Sequence, residues 1–340
     1  MKTILVTGAC GQLGNEMQLQ ARLHPEYLWL FTDVVPAPVP AASASSPSPA
    51  PGSSPSPAPG SSPSPASGSS PSPASGSVDG GSSAVSSSAV SSLDITDSAA
   101  VLSFVEEHSV DLIVNCAAYT AVDRAESDAD RAALLNATAP GYLAAAIQGR
   151  GGQLVQISTD YVFDGTAHTP YTEDLPTCPN SVYGRTKLAG EQAVLAANPS
   201  ALIIRTAWLY SRFGNNFVKT MLRLGREKTE LGVIFDQIGT PTYARDLAAA
   251  IMAAITQGVQ PGVYHFSNEG VCSWYDFTKA IHRLAGITTC HVRPLHTTEY
   301  PTPAARPHYS VLDKTKIKQT YHLEIPYWED SLRDCLQELL

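Results

Sequence analysis

Tyr183 and Lys187 stand four residues apart in Tyr183-Gly184-Arg185-Thr186-Lys187, and in a helical stretch that spacing puts both on one face. Upstream, Ile157-Ser158-Thr159-Asp160-Tyr161-Val162-Phe163-Asp164-Gly165 reads as a buried strand running into a loop, with Thr159 at the strand's carboxyl end. A hydroxyl, a phenol and an ammonium can then converge on one small volume. Such a set suits carbonyl reduction, because hydride addition at carbon builds negative charge on oxygen and a positioned acid must supply a proton. Tyrosine, with an ordinary pKa of about 10, suits the donor, and a nearby Lys⁺ stabilises the phenolate that remains. A Tyr-x-x-x-Lys pair alone is also a common surface feature of helices, so the surrounding elements must carry the assignment.

The amino-terminal segment offers a place for a hydride donor. Lys2 to Thr7 is a β-rich apolar run, followed by Gly8-Ala9-Cys10-Gly11-Gln12-Leu13-Gly14 and a helical pattern from Asn15. Strand, glycine turn and helix in that order are what a dinucleotide site requires: glycines admit the pyrophosphate to the backbone, and the helix start supplies free N–H groups. The spacing G-x-x-G-x-x-G resembles that of the short-chain dehydrogenase/reductase superfamily. A second strand, Leu28 to Phe31, ends at Thr32-Asp33, nineteen residues after Gly14. An acid there is placed to accept from the adenosine ribose hydroxyls and to repel a 2′-phosphate, which leans towards NADH.

From Pro36 to Ser92 the composition changes to Pro, Ser, Ala and Gly with one charged residue, Asp79, and an eight-residue repeat beginning at Pro47 and again at Pro55. Such a segment buries too little apolar surface to offset ordering entropy, so it is expected to be a disordered insertion. The α/β pattern then resumes. Leu93-Asp94-Ile95 reads as a short strand, Asp97 as the cap of a helix to His108, and Asp111 to Cys116 as a buried strand leading into Ala117-Ala118-Tyr119. A helical region from Asp128 to Gln148 is expected to break near Pro140-Gly141, and Gln153 to Ser158 and Ala201 to Thr206 are further strands. Beyond Tyr210 the elements shorten: helix Phe217 to Arg226, strand Val233 to Phe235, helix Arg245 to Thr256, strand Val263 to Phe266, helix Trp274 to Leu284.

This alternation predicts an α/β fold, a Rossmann-type doubly wound parallel sheet with a smaller carboxyl-terminal substrate-binding domain. The expected domains are 1–35 with 93–210 for the nucleotide, 36–92 as the insertion, and 211–340 mainly for substrate, some of its elements returning to the sheet. Net charge is −9, which argues against a nucleic-acid binder. No apolar run reaches membrane-spanning length, and the amino terminus lacks a signal peptide's basic and apolar regions. The cysteines (10, 116, 178, 272, 290 and 335) show no metal-binding spacing and lie mostly in apolar segments, so the expected compartment is the reducing cytoplasm.

The ordered set of motifs resembles the dTDP-4-dehydrorhamnose reductases, extended short-chain reductases of nucleotide-sugar metabolism. It comprises Thr7 to Gly14, Asn115 to Asp123, Ser158 to Gly165, Tyr183 to Lys187, Asp236-Gln237-Ile238-Gly239-Thr240-Pro241-Thr242, Tyr264 to Ser267 and Arg306 to Asp313, and spans nearly the whole chain outside 36–92. The resemblance implies reduction of a C4 ketone on a dTDP-linked 6-deoxy sugar, with NADPH or NADH, by a homodimer. It implies that Tyr183 is the proton donor, that Lys187 holds the nicotinamide ribose, and that Thr159 bonds the reacting oxygen. Thr159, Asp160 and Trp208 match sugar-nucleotide contacts. Gly8, Gly11, Gln12, Leu13 and Gly14 match the pyrophosphate turn, Asp33, Asp94 and Ile95 the adenosine end, and Ala117, Ala118 and Tyr119 the cofactor's flank. Some relatives bind Mg²⁺ at a dimer contact through glutamates; here Glu16 alone matches a ligand position, so Mg²⁺ stays open and no metal ligand is assigned. Arg306 suits either the substrate pyrophosphate or an ion pair. Three neighbouring readings stay open: a nucleotide-sugar epimerase or dehydratase, which recycles its cofactor; a talose-forming 4-ketoreductase; and a regulatory relative without catalysis.

Overall fold

Apolar residues at consecutive positions make a strand that is buried on both faces, and such strands pair in parallel between two helical layers. The computed structural model describes residues 1–34 and 90–340. Its central sheet is built from β1 (Lys2–Thr7), β2 (Tyr27–Asp33), β3 (Ser91–Ser92), β4 (Leu112–Asn115), β5 (Gln153–Thr159), β6 (Leu202–Thr206) and β7 (Gly262–His265). All seven run parallel in the order β7-β6-β5-β4-β1-β2-β3. Order reverses direction beside β1, which opens the crevice at the strands' carboxyl ends where ligands of such sheets bind.

The helices are α1 (Gln12–Leu23), α2 (Ser98–Glu107), α3 (Val122–Ala125), α4 (Ala129–Ala133), α5 (Ala139–Gln148), α6 (Val182–Ala197), α7 (Phe217–Glu227), α8 (Ala244–Gln257), α9 (Trp274–Leu284), α10 (Thr315–Tyr321) and α11 (Trp328–Gln337). Alternate strand residues divide between two cores. Ile4, Val6, Leu112, Val114 and Val155 meet Met17 of α1, Leu247 and Ile251 of α8, and Tyr321 of α10. Leu5, Ile113 and Leu154 meet Val101 of α2, Leu143 and Ile147 of α5, and Val194 of α6. Each such aliphatic side chain taken from water contributes about 1.5–3 kcal/mol. A third core, around Phe277, Trp328 and Leu332, joins α7, α9 and α11 in the carboxyl-terminal part. From that part Gly262–His265 returns to the sheet as β7, and α8 and α10 pack on the sheet's face.

Several sequence expectations shift. Strand pairing at the edge falls on Ser91–Ser92, in register with Thr32 and Asp33, while Leu93 and Ile95 follow it with their side chains in the core. The edge needs two residues of backbone pairing, and the apolar pair then anchors the turn below it. Of the expected insertion 36–92, residues up to 89 lie outside the described residues. Asp97 caps α2 as expected, its carboxylate accepting from the N–H groups of Ala99 and Ala100 at 3.0 Å. The helical region after Asp128 does not break at Pro140. It passes through one π-helical stretch, Leu134–Thr138, and continues as α5 with Pro140 in its first turn. Proline lacks the N–H that would bond the Asn136 carbonyl, and widening the helix there absorbs the defect. α6 packs against that carbonyl at Gly190, where a Cβ would fall 2.0 Å from it.

Candidate active site

The glycine turn between β1 and α1 is dictated by close approach. Gly8 has φ +66, and a Cβ on it would lie 2.6 Å from the Ala117 nitrogen; on Gly14 it would lie 2.2 Å from the Gly8 carbonyl. The turn thus lies directly against the end of β4. Gly11 precedes Gln12 and Leu13 as the N-cap of α1 and offers no side-chain cap, so the first N–H groups of the helix stay free for an anion. These features fit a dinucleotide's pyrophosphate.

Asp33, at the end of β2, accepts from the Cys10 N–H at 2.8 Å, which ties the turn to the sheet edge. The Leu93 N–H donates to the Asp33 carbonyl at 3.1 Å, so Asp94 stands beside Asp33 as the sequence reading required. Asp94 is turned onto Thr96, accepting from its N–H and hydroxyl at 2.9 and 2.7 Å. Ile95 points its side chain into the core.

A row of side-chain hydrogen bonds crosses the sheet beneath this turn. The Thr7 hydroxyl donates to Asn115 Oδ1 at 2.6 Å, and Asn115 Nδ2 donates to Gln156 Oε1 at 2.8 Å. Asn115 Oδ1 also accepts from the Ala117 N–H at 3.2 Å, which fixes the entry to Ala117-Ala118-Tyr119. Asn136, buried in the π-helical stretch, accepts from the Tyr119 N–H at 2.9 Å and donates to the Tyr119 carbonyl and the Thr186 hydroxyl. The segment Ala117-Ala118-Tyr119 is therefore tied to α6.

α6 in turn carries Tyr183 and Lys187. Ser181 caps it by accepting from the Gly184 N–H at 3.1 Å. Gly184 sits so close to the loop after β5 that a Cβ would fall 2.2 Å from the Tyr161 carbonyl. That contact sets Tyr183 beside Thr159, close enough for the Thr159 hydroxyl to act on the phenol's pKa. Burial pushes the Tyr183 phenol up to about 12, partly offset by Thr159, so it is a protonated donor at neutral pH. Tyr161 packs edge-on against it, ring centroids 5.6 Å apart.

Lys187 lies one turn further along, 4 % exposed, its Nζ donating to the Ile157 carbonyl at 2.6 Å. Burial pulls its pKa down to about 8, against the pull of Glu191 in the opposite direction. Glu191 holds Arg205 of β6 with two bonds of 2.9 and 2.7 Å and accepts from the Ser158 hydroxyl. A buried carboxylate is tolerated there because both oxygens are engaged. Arg205 also lies over the Phe163 ring, and with burial it drives His265 down to about 3, keeping that imidazole neutral.

Asp160, next along the chain from Thr159, is 2 % exposed, accepts from the Thr159 hydroxyl at 3.0 Å, and leaves Oδ2 without a partner. Burial raises its pKa to about 6. Trp208 has φ +48, a strained geometry for a bulky residue, and its ring stacks on Trp274 with centroids 3.5 Å apart. Gly239 makes room for it: a Cβ there would fall 2.8 Å from the Trp208 ring. Of the two roles open to Arg306, the ion pair is formed, with Asp123 of α3 at 2.9 and 2.7 Å.

Glu16 is committed inside the chain. It accepts from the Ser211 hydroxyl at 2.9 Å and faces the Arg245 guanidinium at 3.7 Å, while Arg245 and Arg212 both pair with Glu338. Two arginines among two carboxylates do not suit a divalent cation, and no step below involves one.

Residues 76–340 match the family model described as the RmlD substrate binding domain. The chain belongs to this family. A relative from Streptomyces antibioticus, described as a probable dTDP-4,6-dihydroxy-2-methyloxan-3-one 4-ketoreductase, is 46% identical over 73% of this chain and 84% of its own length. A dTDP-4-dehydrorhamnose reductase from Mycolicibacterium smegmatis is 44% identical over 72% of this chain and 75% of its own. A crystal structure of a dTDP-4-dehydrorhamnose reductase from Bacillus anthracis in complex with NADP superposes with a TM-score of 0.79 at 34% identity, covering 100% of both chains.

Within this family fold the structure brings Thr159, Asp160, Tyr183 and Lys187 together and seats Gly8 to Gly14 against Ala117. It leaves Ile95 in the core and Arg306 paired. The sequence reading missed Asn115, Gln156, Asn136, Glu191 and Trp274. Glu191 alone had a local signal, since it continues the i, i+4 series of Tyr183 and Lys187.

Proposed function

We propose that the protein reduces the C4 ketone of dTDP-4-dehydro-6-deoxy-L-mannose (dTDP-4-dehydrorhamnose) to dTDP-L-rhamnose, with NADPH or NADH. The observation that carries this reading is the meeting of Thr159, Tyr183 and Lys187 at the carboxyl edge of the sheet that also bears the glycine turn. The bound coenzyme would supply a hydride to C4. The chain's own residues handle the oxygen: Thr159 and Tyr183 present hydroxyls to it, and Tyr183 gives up its proton as the charge develops. Lys187 stabilises the resulting phenolate from the next turn of α6. Gly8, Gly11, Gln12, Leu13 and Gly14 would cradle the pyrophosphate, Asp33 would face the ribose, and Asp160 and Trp208 would orient the sugar nucleotide.

The test is consumption of NADPH and of NADH with the 4-keto sugar nucleotide, with the product identified by NMR. One coenzyme oxidised per sugar reduced is the expected result. Product formed without net oxidation would indicate an epimerase or dehydratase, and no turnover would indicate a regulatory relative. The Streptomyces antibioticus relative favours a second reading, 4-ketoreduction of a different dTDP-linked sugar. A product with the talo configuration, or a preference for another 4-keto sugar, would select it. We propose the same cytoplasmic, homodimeric state that the resemblance implies; cell fractionation and light scattering test these. Among the described residues no helix is long and apolar enough to cross a membrane.

A further inference from the structure

The segment Ser211-Arg212-Phe213-Gly214-Asn215-Asn216, which enters α7, is stapled to one face of α1. Ser211, fully buried, donates to Glu16, while one turn earlier Asn216 Nδ2 donates to Gln12 Oε1 at 2.9 Å. Asn216 Nδ2 also donates to the Ser211 carbonyl at 2.6 Å, and its Oδ1 caps α7 by accepting from the Lys219 N–H at 3.1 Å. Gly214, at φ +60, lets the segment close down, for a Cβ there would meet Gln12 Cγ at 3.1 Å. Gln12 is the first residue of α1, at the turn read above as the pyrophosphate cradle.

A glutamine amide is ambiguous towards an anion: its NH₂ end attracts a phosphate and its oxygen repels one. We propose that Asn216 is a positioning residue for the coenzyme, occupying Gln12 Oε1 so that the Nε2 N–H groups and the start of α1 face the pyrophosphate. This rests on the coenzyme site proposed above. The carboxyl-terminal part of the chain then completes a site formed otherwise by the amino-terminal strand and helix.

Calorimetric titration of the full-length protein with NADPH, without sugar, tests it. Asn216→Ser keeps a hydroxyl able to cap α7 but too short to reach Gln12. Asn216→Ser and Asn216→Ala each lose the bond to Gln12 together with the one to the Ser211 carbonyl, and each should raise the coenzyme Kd about three- to tenfold. In turnover assays the loss should fall on coenzyme KM rather than kcat. Adding Asn216→Ser to Gln12→Ala should cost little beyond Gln12→Ala alone, because the two act through one bond. A purely structural cap would instead leave Asn216→Ser with wild-type affinity. That outcome, or fully additive losses in the double variant, would overturn the assignment. Failure of the wild-type protein to bind either NADPH or NADH would instead overturn the coenzyme reading on which it rests.

Discussion

On the coenzyme site proposed above, the choice between NADPH and NADH is assigned to Asp33, and the structure separates two effects that a simple truncation would mix. One carboxylate oxygen holds the Cys10 N–H of the glycine turn at 2.8 Å, while the residue remains half-exposed at the end of β2. Asp33→Asn keeps an oxygen for Cys10 and removes the charge, giving up only the bond that the other oxygen accepts from the exposed Val34 N–H at 2.8 Å. A carboxylate and a doubly charged 2′-phosphate about 6 Å apart, in near-aqueous dielectric, repel by 332 × 2/(80 × 6), or about 1.4 kcal/mol. Relieving that repulsion should shift the ratio of kcat/KM for NADPH over NADH about tenfold towards NADPH. Asp33→Ala should show a similar shift in ratio, and in addition weaken both coenzymes. The lost bond from Cys10 to a charged acceptor is of a kind that contributes about 1.5–3 kcal/mol. The assay is steady-state turnover with each coenzyme at fixed sugar nucleotide. A ratio within twofold of wild type in Asp33→Asn would mean the carboxylate does not face the 2′ position, and the argument would fail.

Tyr183→Phe should retain coenzyme affinity but lose about 10²–10⁴-fold in kcat; turnover within a few-fold of wild type would remove Tyr183 as the proton donor. Burial lowers Lys187 from 10.5 to about 8, so kcat should fall as pH rises through about 8 and the ammonium is lost. The effect on folding has the opposite sign: between those two values the unfolded chain binds more protons, so this residue's contribution to stability rises with pH, and denaturant titrations from pH 8 to 10 would reveal it. Gly239→Ala drives a methyl to 2.8 Å from the Trp208 ring, and should raise the sugar-nucleotide KM about tenfold with little change in coenzyme KM; equal changes in both would refute a sugar-side role. Thr32 and Asp33 pair in parallel with Ser91 and Ser92, and because that pairing is only two residues long, replacing residues 35–89 by a loop of about eight to ten residues should leave activity intact. Stability should be unchanged or higher by up to about 2 kcal/mol from loop closure, and a lower melting temperature would contradict this.

The parts of the molecule that were legible in the sequence are those whose physics is local. Glycines spaced through a strand–helix junction imply close backbone approach, and Gly8 and Gly14 show it. The i, i+4 relation of Tyr183 and Lys187 needed only helical geometry, and Trp274–Leu284 is a helix over the residues its apolar spacing predicts. What stayed hidden depends on distant partners. Thr7 and Asn115 are 108 positions apart, and no window of sequence announces their bond. Arg306 stayed undecided between a phosphate and an ion pair because its partner Asp123 is 183 residues away. Pro140 read as a breaker because sequence alone does not show that the preceding turn can widen, nor that Gly190 of α6 leaves space for the displaced carbonyl.

The row from Thr7 through Asn115 to Gln156 has a consequence for how the chain reaches its fold. β1, β4 and β5 are buried on both faces along most of their length, so burial alone discriminates weakly between one strand alignment and its neighbours. A slip of β4 by one residue would carry Asn115 away from both Thr7 and Gln156, leaving amide and hydroxyl groups stranded in a dry interior. Each stranded group costs about 1–3 kcal/mol, enough to make a misaligned sheet a shallow, reversible state rather than a trap. The polar row under the glycine turn thus weights the native strand alignment over its neighbours, and with it the geometry of the site it supports.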